Sequence, residues 1–205
     1  MWRPSIERRL TRSCLLAAAL LAGCAAGPNG RDAEDAHTPP AAALERFEQA
    51  VSALDAGELD TATRDFAEIG RSYPEYATPL VNLGIAHGRA GRLEEAERAL
   101  REAVERAPDL AVAWSELGIV LRRQGRLEDA RAAYDRALAA DADYANAHLN
   151  LGVLCDLYLN EPEVAAAAYE RYLALAATPD PRVDAWLSEI RARLGRDERT
   201  ARANP

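Results

Sequence analysis

Cysteine and histidine are scarce in this chain, and their positions decide what chemistry is open to it. Cys14 lies inside an apolar stretch, Cys24 closes that stretch, and Cys155 stands alone far downstream. Three such separate environments offer no disulfide framework. His37, His87 and His148 are isolated from one another, without an H-E-x-x-H pair or a Cys/His spacing suited to zinc. There is no G-x-x-x-x-G-K phosphate loop and no G-x-S-x-G nucleophile turn. Asp141 and Asp143 alternate as in a calcium loop, but the glycine and the late glutamate are missing, so they read as an ordinary turn. The residue types therefore predict no catalytic group, no metal site, no cofactor and no small-molecule substrate. An enzyme built on this chain would need a constellation that these residues do not supply.

The N-terminus holds a different kind of chemistry. Arg3, Arg8, Arg9 and Arg12 form a basic start, and Cys14 to Ala22 is an apolar run too short to span about 30 Å of bilayer core. This order reads as an export signal. It ends in Leu21-Ala22-Gly23-Cys24, which resembles the lipobox of bacterial lipoproteins. That resemblance implies a signal peptide over 1–23, cleavage before Cys24, a diacylglyceryl group on its thiol and acylation of the new amine. One acyl chain anchors only marginally, whereas several hold a protein on the membrane. Ala25 and Ala26 follow the cysteine, and the absence of Asp there resembles an outer-membrane address. The implied location is the cell envelope, as an outer-membrane lipoprotein facing the periplasm. Ordinary cleavage near Ala22 to Ala26 would instead release a soluble periplasmic module.

Behind Cys24 the composition turns to Gly, Pro, Asn, Asp and Thr as far as Pro40. Too little apolar surface is available there to fold, which predicts a flexible tether over 24–40. Sixteen such residues span roughly 20–24 Å. The chain carries a net charge of −8. Its first 23 residues hold four Arg and one Glu, a net of +3, so the rest carries −11. That surface repels phosphate backbones, and no nucleic-acid partner is expected.

The elements that follow are periodic. Gly57, Gly91 and Gly125 stand 34 residues apart, as do Ala62, Ala96 and Ala130, and Phe66, Leu100 and Tyr134. Pro74 and Pro108 keep the interval, and so do Leu83-Gly84, Leu117-Gly118 and Leu151-Gly152. Ala-rich segments with apolar residues three and four apart are amphipathic helices. No run alternates in the strand manner. These marks resemble the tetratricopeptide repeat, W-x₂-L-G-x₂-Y, then A-x₃-F, then P. The third copy shows them best, with Trp114, Leu117, Gly118, Ala130 and Tyr134.

Copies run over 43–76, 77–110, 111–144 and 145–178. The first departs from the pattern at Arg46, Gln49 and Ala50, and reads as a diverged, partly capping copy. The fourth has one extra residue in its turn Leu159-Asn160-Glu161-Pro162, which shifts Ala165, Tyr169 and Tyr172 by one. A cap helix over 180–195 is expected, with Asp180 as N-cap, Pro181 first in the helix, one apolar face from Val183 to Leu194, and Gly195 as its end. A disordered tail over 196–205 would follow. The expected fold is all-α: a right-handed superhelical α-solenoid of about four hairpins, closed by that cap, with the repeat domain over 41–195.

The resemblance also implies a groove lined by the first helix of each copy. Matched position by position, the second copy offers Val81, Asn82, Ile85 and Arg89. The third offers Ser115, Glu116, Ile119, Arg122 and Arg123, and the fourth Asn146, Leu149, Asn150, Val153 and Asp156. Ile85, Ile119 and Val153 form an apolar row that is either partner surface or core. Asn82 and Asn150 stand where some members of the family grip a peptide backbone through side-chain amides, which both donate and accept. The Lys and Asn set of the family's carboxylate clamp is missing. His148 replaces the usual Trp or Leu, and with Cys155, Trp114 and Tyr134 is expected to pack. The expected function is a membrane-anchored scaffold or adaptor that holds a protein or an extended peptide segment beside the envelope membrane, as in pilus biogenesis, outer-membrane assembly or cell-wall enzyme recruitment.

Overall fold

A computed structural model describes residues 41–203, in which every regular element is helical. The predicted signal peptide, Cys24 and the tether lie outside the described residues. Two compact units part after Pro74.

The first described unit is one hairpin, α1 (Ala41–Ala56) and α2 (Leu59–Ser72). Ala43, Ala50, Ala53 and Leu54 face Ala62, Phe66 and Ile69 in its buried seam. The Phe47 and Phe66 rings meet edge to face at 5.5 Å, an arrangement that aromatic quadrupoles favour. Arg46 and Glu68 close the outside with a 2.7 Å ion pair.

The second unit begins at Glu75 and holds three hairpins and a long last helix. They are α3 (Thr78–Arg89) with α4 (Leu93–Arg106), α5 (Ala111–Arg123) with α6 (Leu127–Ala140), and α7 (Ala145–Leu154) with α8 (Pro162–Leu175). The last helix is α9 (Pro181–Ala203). Each of the two helices before the tight turns at Gly91 and Gly125 ends on that glycine with φ near +80°. Side chains avoid this region, and glycine enters it freely. The fourth hairpin solves the same problem differently. Its extra residue is taken up as one π-turn, Cys155–Leu159, after which Asn160 takes the left-handed conformation at φ 55°. Asn is among the few other residues that tolerate it.

What locks these hairpins is a second-helix side chain seated on bare first-helix backbone. A Cβ on Gly84 would stand 2.4 Å from Leu100 Cγ, and one on Gly118 2.4 Å from the Tyr134 ring. One on Gly152 would stand 2.5 Å from Tyr169. Leu100, Tyr134 and Tyr169 are all buried. The shift of Tyr169 by one residue is therefore absorbed by the π-turn, and the ring still reaches its glycine.

Asp180 caps α9: its carboxylate accepts from the Arg182 N–H at 3.0 Å, with Pro181 first in the helix. Val183, Trp186, Leu187 and Ile190 are buried, and Trp186 lies 5.9 Å from Tyr169. The expected stop at Gly195 and the expected disordered tail from 196 are corrected: the helix continues to Ala203. One internal glycine costs about 1 kcal/mol, too little to end a helix that meets no proline before Pro205.

Gly118→Ala should lower stability by about 2 kcal/mol, overpacking against Tyr134 outweighing the gain in helix propensity. Urea denaturation followed by circular dichroism measures it. The loss should shrink by at least half in a Tyr134→Val background, and an unchanged loss there would show that the ring is not its cause.

Candidate partner-binding face

Within the second unit the first helices α3, α5 and α7 lie side by side, each against the next. Packed helices run about 8–10 Å apart, so residues at one register position form a ladder across them. The same packing decides which rungs stay open.

Much of the expected groove is buried in the fold. Val81, Ile85, Ser115, Leu149 and Val153 are buried, and only Ile119 of the apolar row remains half-exposed. Asn82 and Asn150 are each only 4% exposed. The Asn82 Nδ2 donates to the Thr78 carbonyl at 3.0 Å, and the Asn150 Nδ2 to Ser115 Oγ at 3.2 Å across the seam between α5 and α7. The reading of these amides as open hands for a partner backbone is thus corrected in that their donors already serve the fold. A buried amide must find such partners.

The polar rungs are more open. Arg89 and Arg123 are exposed, while Glu116 and Asn146 are half-buried. Burial pushes the Glu116 carboxyl up to about 7, against the opposing pull of the Arg89 guanidinium. Arg123 reaches back to α3, where its Nη1 donates to the Gly88 carbonyl at 2.6 Å. Arg122 is only 8% exposed. Its Nη1 donates to the Tyr158 hydroxyl at 3.2 Å, and its guanidinium lies 5.4 Å from the centre of that ring. Beneath it the Tyr134 hydroxyl is pushed up to about 12 by burial, although Arg122 pulls the other way. Asp156 is turned aside by α9, where Arg193 Nη2 donates to its Oδ1 at 3.3 Å.

Three members of this face went unnamed in the sequence: Leu157, which the 34-residue interval places at the position of Arg89 and Arg123, and Tyr158 and Arg193, which it does not. For Tyr158 the available signal was the extra residue in the fourth turn. A helix that holds one residue too many is locally widened, and such π-turns often mark functional places. Leu157 and Tyr158 are each 47% exposed, the two exposed large apolar side chains among the described residues.

The remaining chemistry-bearing residues serve the fold. His148 Nε2 bonds the Ala142 carbonyl at 2.9 Å, as Trp114 Nε1 one repeat earlier donates to the Pro108 carbonyl at 2.8 Å. Each ties its helix to the preceding turn. Cys155 is buried, and burial pushes its thiol up to about 11, which leaves it protonated at neutral pH. The Asp143 N–H donates to Asp141 Oδ1 at 3.0 Å, an Asx-type turn. Among the described residues, no cluster of three His, Cys, Asp or Glu could hold a metal ion. No described helix is long and apolar enough to cross a membrane.

The family model described as "Tetratricopeptide repeat" matches residues 47–111, 81–145 and 115–157, together more than half of the chain. No curated protein matches in sequence. Among solved structures, TTC0263, a thermophilic TPR protein of Thermus thermophilus, is 25% identical with a TM-score of 0.63, over 75% of this chain and 84% of its own. MamA of Desulfovibrio magneticus is 20% identical with a TM-score of 0.62, over 80% of this chain and 91% of its own. The first TPR of Spaghetti (RPAP3), solved with the HSP90 peptide SRMEEVD, is 22% identical with a TM-score of 0.55, over 58% of this chain and 95% of its own.

Glu116 makes stability depend on pH. Its folded value of about 7 lies above the ordinary 4.5, so the carboxyl is neutral in both states at low pH and charged in both above 7. The fold therefore loses stability as pH rises from about 4 to 7, by at most about 3 kcal/mol. Glu116→Gln should melt with the wild type near pH 4 and above it at pH 8; parallel melting curves across that range would contradict the assignment.

Proposed function

Because the chain belongs to the tetratricopeptide repeat family, whose repeat folds as a protein-interaction module, we propose that it is a membrane-anchored lipoprotein scaffold of the bacterial envelope. The proposal has one half in the fold and one half in the leader. The observation that carries the first is the ladder of first helices, which offers half-open rungs at Glu116, Ile119 and Asn146 together with the exposed Arg89 and Arg123. Glycine-seated hairpins hold this face in place before a partner arrives, which reduces the ordering that binding requires. The Spaghetti domain, of the same fold, is bound to an HSP90 peptide, and a protein segment is the ligand proposed here. Catalysis is assigned to no residue of the chain, and no cofactor, nucleic acid or small-molecule substrate enters the proposal.

The second half rests on Leu21-Ala22-Gly23-Cys24 behind a basic start and a short apolar run. Acylation at Cys24 would hold the repeats at the outer membrane, facing the periplasm, on the 24–40 tether. Growth with labelled palmitate tests it in a bacterial host. The wild type should take up label and fractionate with membranes, and Cys24→Ala should do neither. An unlabelled, freely soluble wild type would favour the second reading, a periplasmic module without an anchor.

A further inference from the structure

The π-turn at Cys155–Leu159 does more than absorb an extra residue. It stands at the end of α7, and Leu157 occupies the register position that Arg89 holds on α3 and Arg123 on α5. The edge of the face therefore reads Arg, Arg, Leu across three adjacent helices. Next to Leu157, the Tyr158 ring lies flat enough on Arg122 for a cation–π contact and is fixed there by its hydroxyl. Both side chains are 47% exposed, and no other large apolar side chain among the described residues is exposed. The two carboxylates that flank them in sequence are neutralised: Asp156 by Arg193, and Glu161 by Arg131 at 2.5 Å. Arg123 is exposed, and its one bond is to a carbonyl. In a chain of net charge −8, this edge is apolar at one end and presents the exposed Arg123 and Arg89 along the rest, with the Glu116 carboxyl within electrostatic reach of Arg89.

We infer that this edge is a docking strip for an acidic peptide segment, whose apolar or aromatic side chain seats on Leu157 and Tyr158 while its carboxylates reach Arg123 and Arg89. The inference rests on the proposed partner-binding role of the face and adds the chemistry of the partner. Neighbouring helix axes stand about 8–10 Å apart, and an extended chain advances about 3.3 Å per residue. Successive rungs therefore match residues about three apart. The motif is one apolar residue with acids three and six positions from it. Guanidinium groups suit carboxylates because they can offer two parallel donors, and an aromatic seat buries the partner's side chain without ordering a flexible one. The binding is sensitive to salt, since Arg89 and Arg123 are both open to solvent.

The test is selection of random heptapeptides displayed on phage, joined through their C-termini so that no terminal carboxylate is free. Selection runs against the whole protein, and affinities of enriched sequences are then measured by fluorescence anisotropy. Enriched peptides should carry the apolar-and-acid spacing and lose at least tenfold in affinity on Leu157→Ser/Tyr158→Ser. Both positions are half-open, so that variant should keep its helical content by circular dichroism. Enrichment of basic or unpatterned peptides, or unchanged affinity for that variant, would overturn the inference. Peptides that respond to Ile119→Asp and not to the π-turn variant would overturn it while leaving the partner-binding face intact. No enrichment above a blank support would count against both.

Discussion

The hairpins of the second unit depend on one contact: a bulky second-helix side chain resting where a first-helix glycine has no Cβ. Leu100 on Gly84, Tyr134 on Gly118 and Tyr169 on Gly152 all sit closer than any Cβ would permit. The contact brings two backbones together and excludes water from the ring or branch between them. A close-packed seam has few alternative arrangements. The consequence reaches beyond the hairpin, because fixing the second helix on one side of the first leaves the other side for the neighbouring first helix.

That second seam shapes the candidate face. Val81, Ile85, Leu149 and Val153 are buried in the fold, and Asn150 and Ser115 bond each other across the seam between α5 and α7. Polar groups at such positions hold register between repeats, since an unpaired amide there would cost free energy. What stays open is a narrower set: Glu116, Ile119, Asn146, the arginine edge and the two side chains exposed at the π-turn. An irregularity in the fourth repeat thus supplies the most solvent-exposed apolar surface of the face.

Much of this could be read from residue types and spacing. The 34-residue interval located the hairpins, and the left-handed glycines and the Asp180–Pro181 start follow from local backbone chemistry. Three things were beyond that reach. The fate of one inserted residue depends on whether the helix bulges or the loop lengthens, and the bulge is the outcome that goes with Tyr169 seated on Gly152. The burial of Asn82 and Ile85 is set by the spacing between helices, which no single helix records. The continuation of α9 through Gly195 turns on the absence of a left-handed turn there, which residue type alone does not record.

The central claim is that partner segments bind on the first helices and are carried by them. Amide NMR of the isotopically labelled protein, titrated with a peptide obtained against it, tests this most directly. The account predicts shifts confined to α3, α5, α7 and the π-turn, with α4, α6 and α8 undisturbed on their outer faces. Shifts concentrated on those second helices would contradict it.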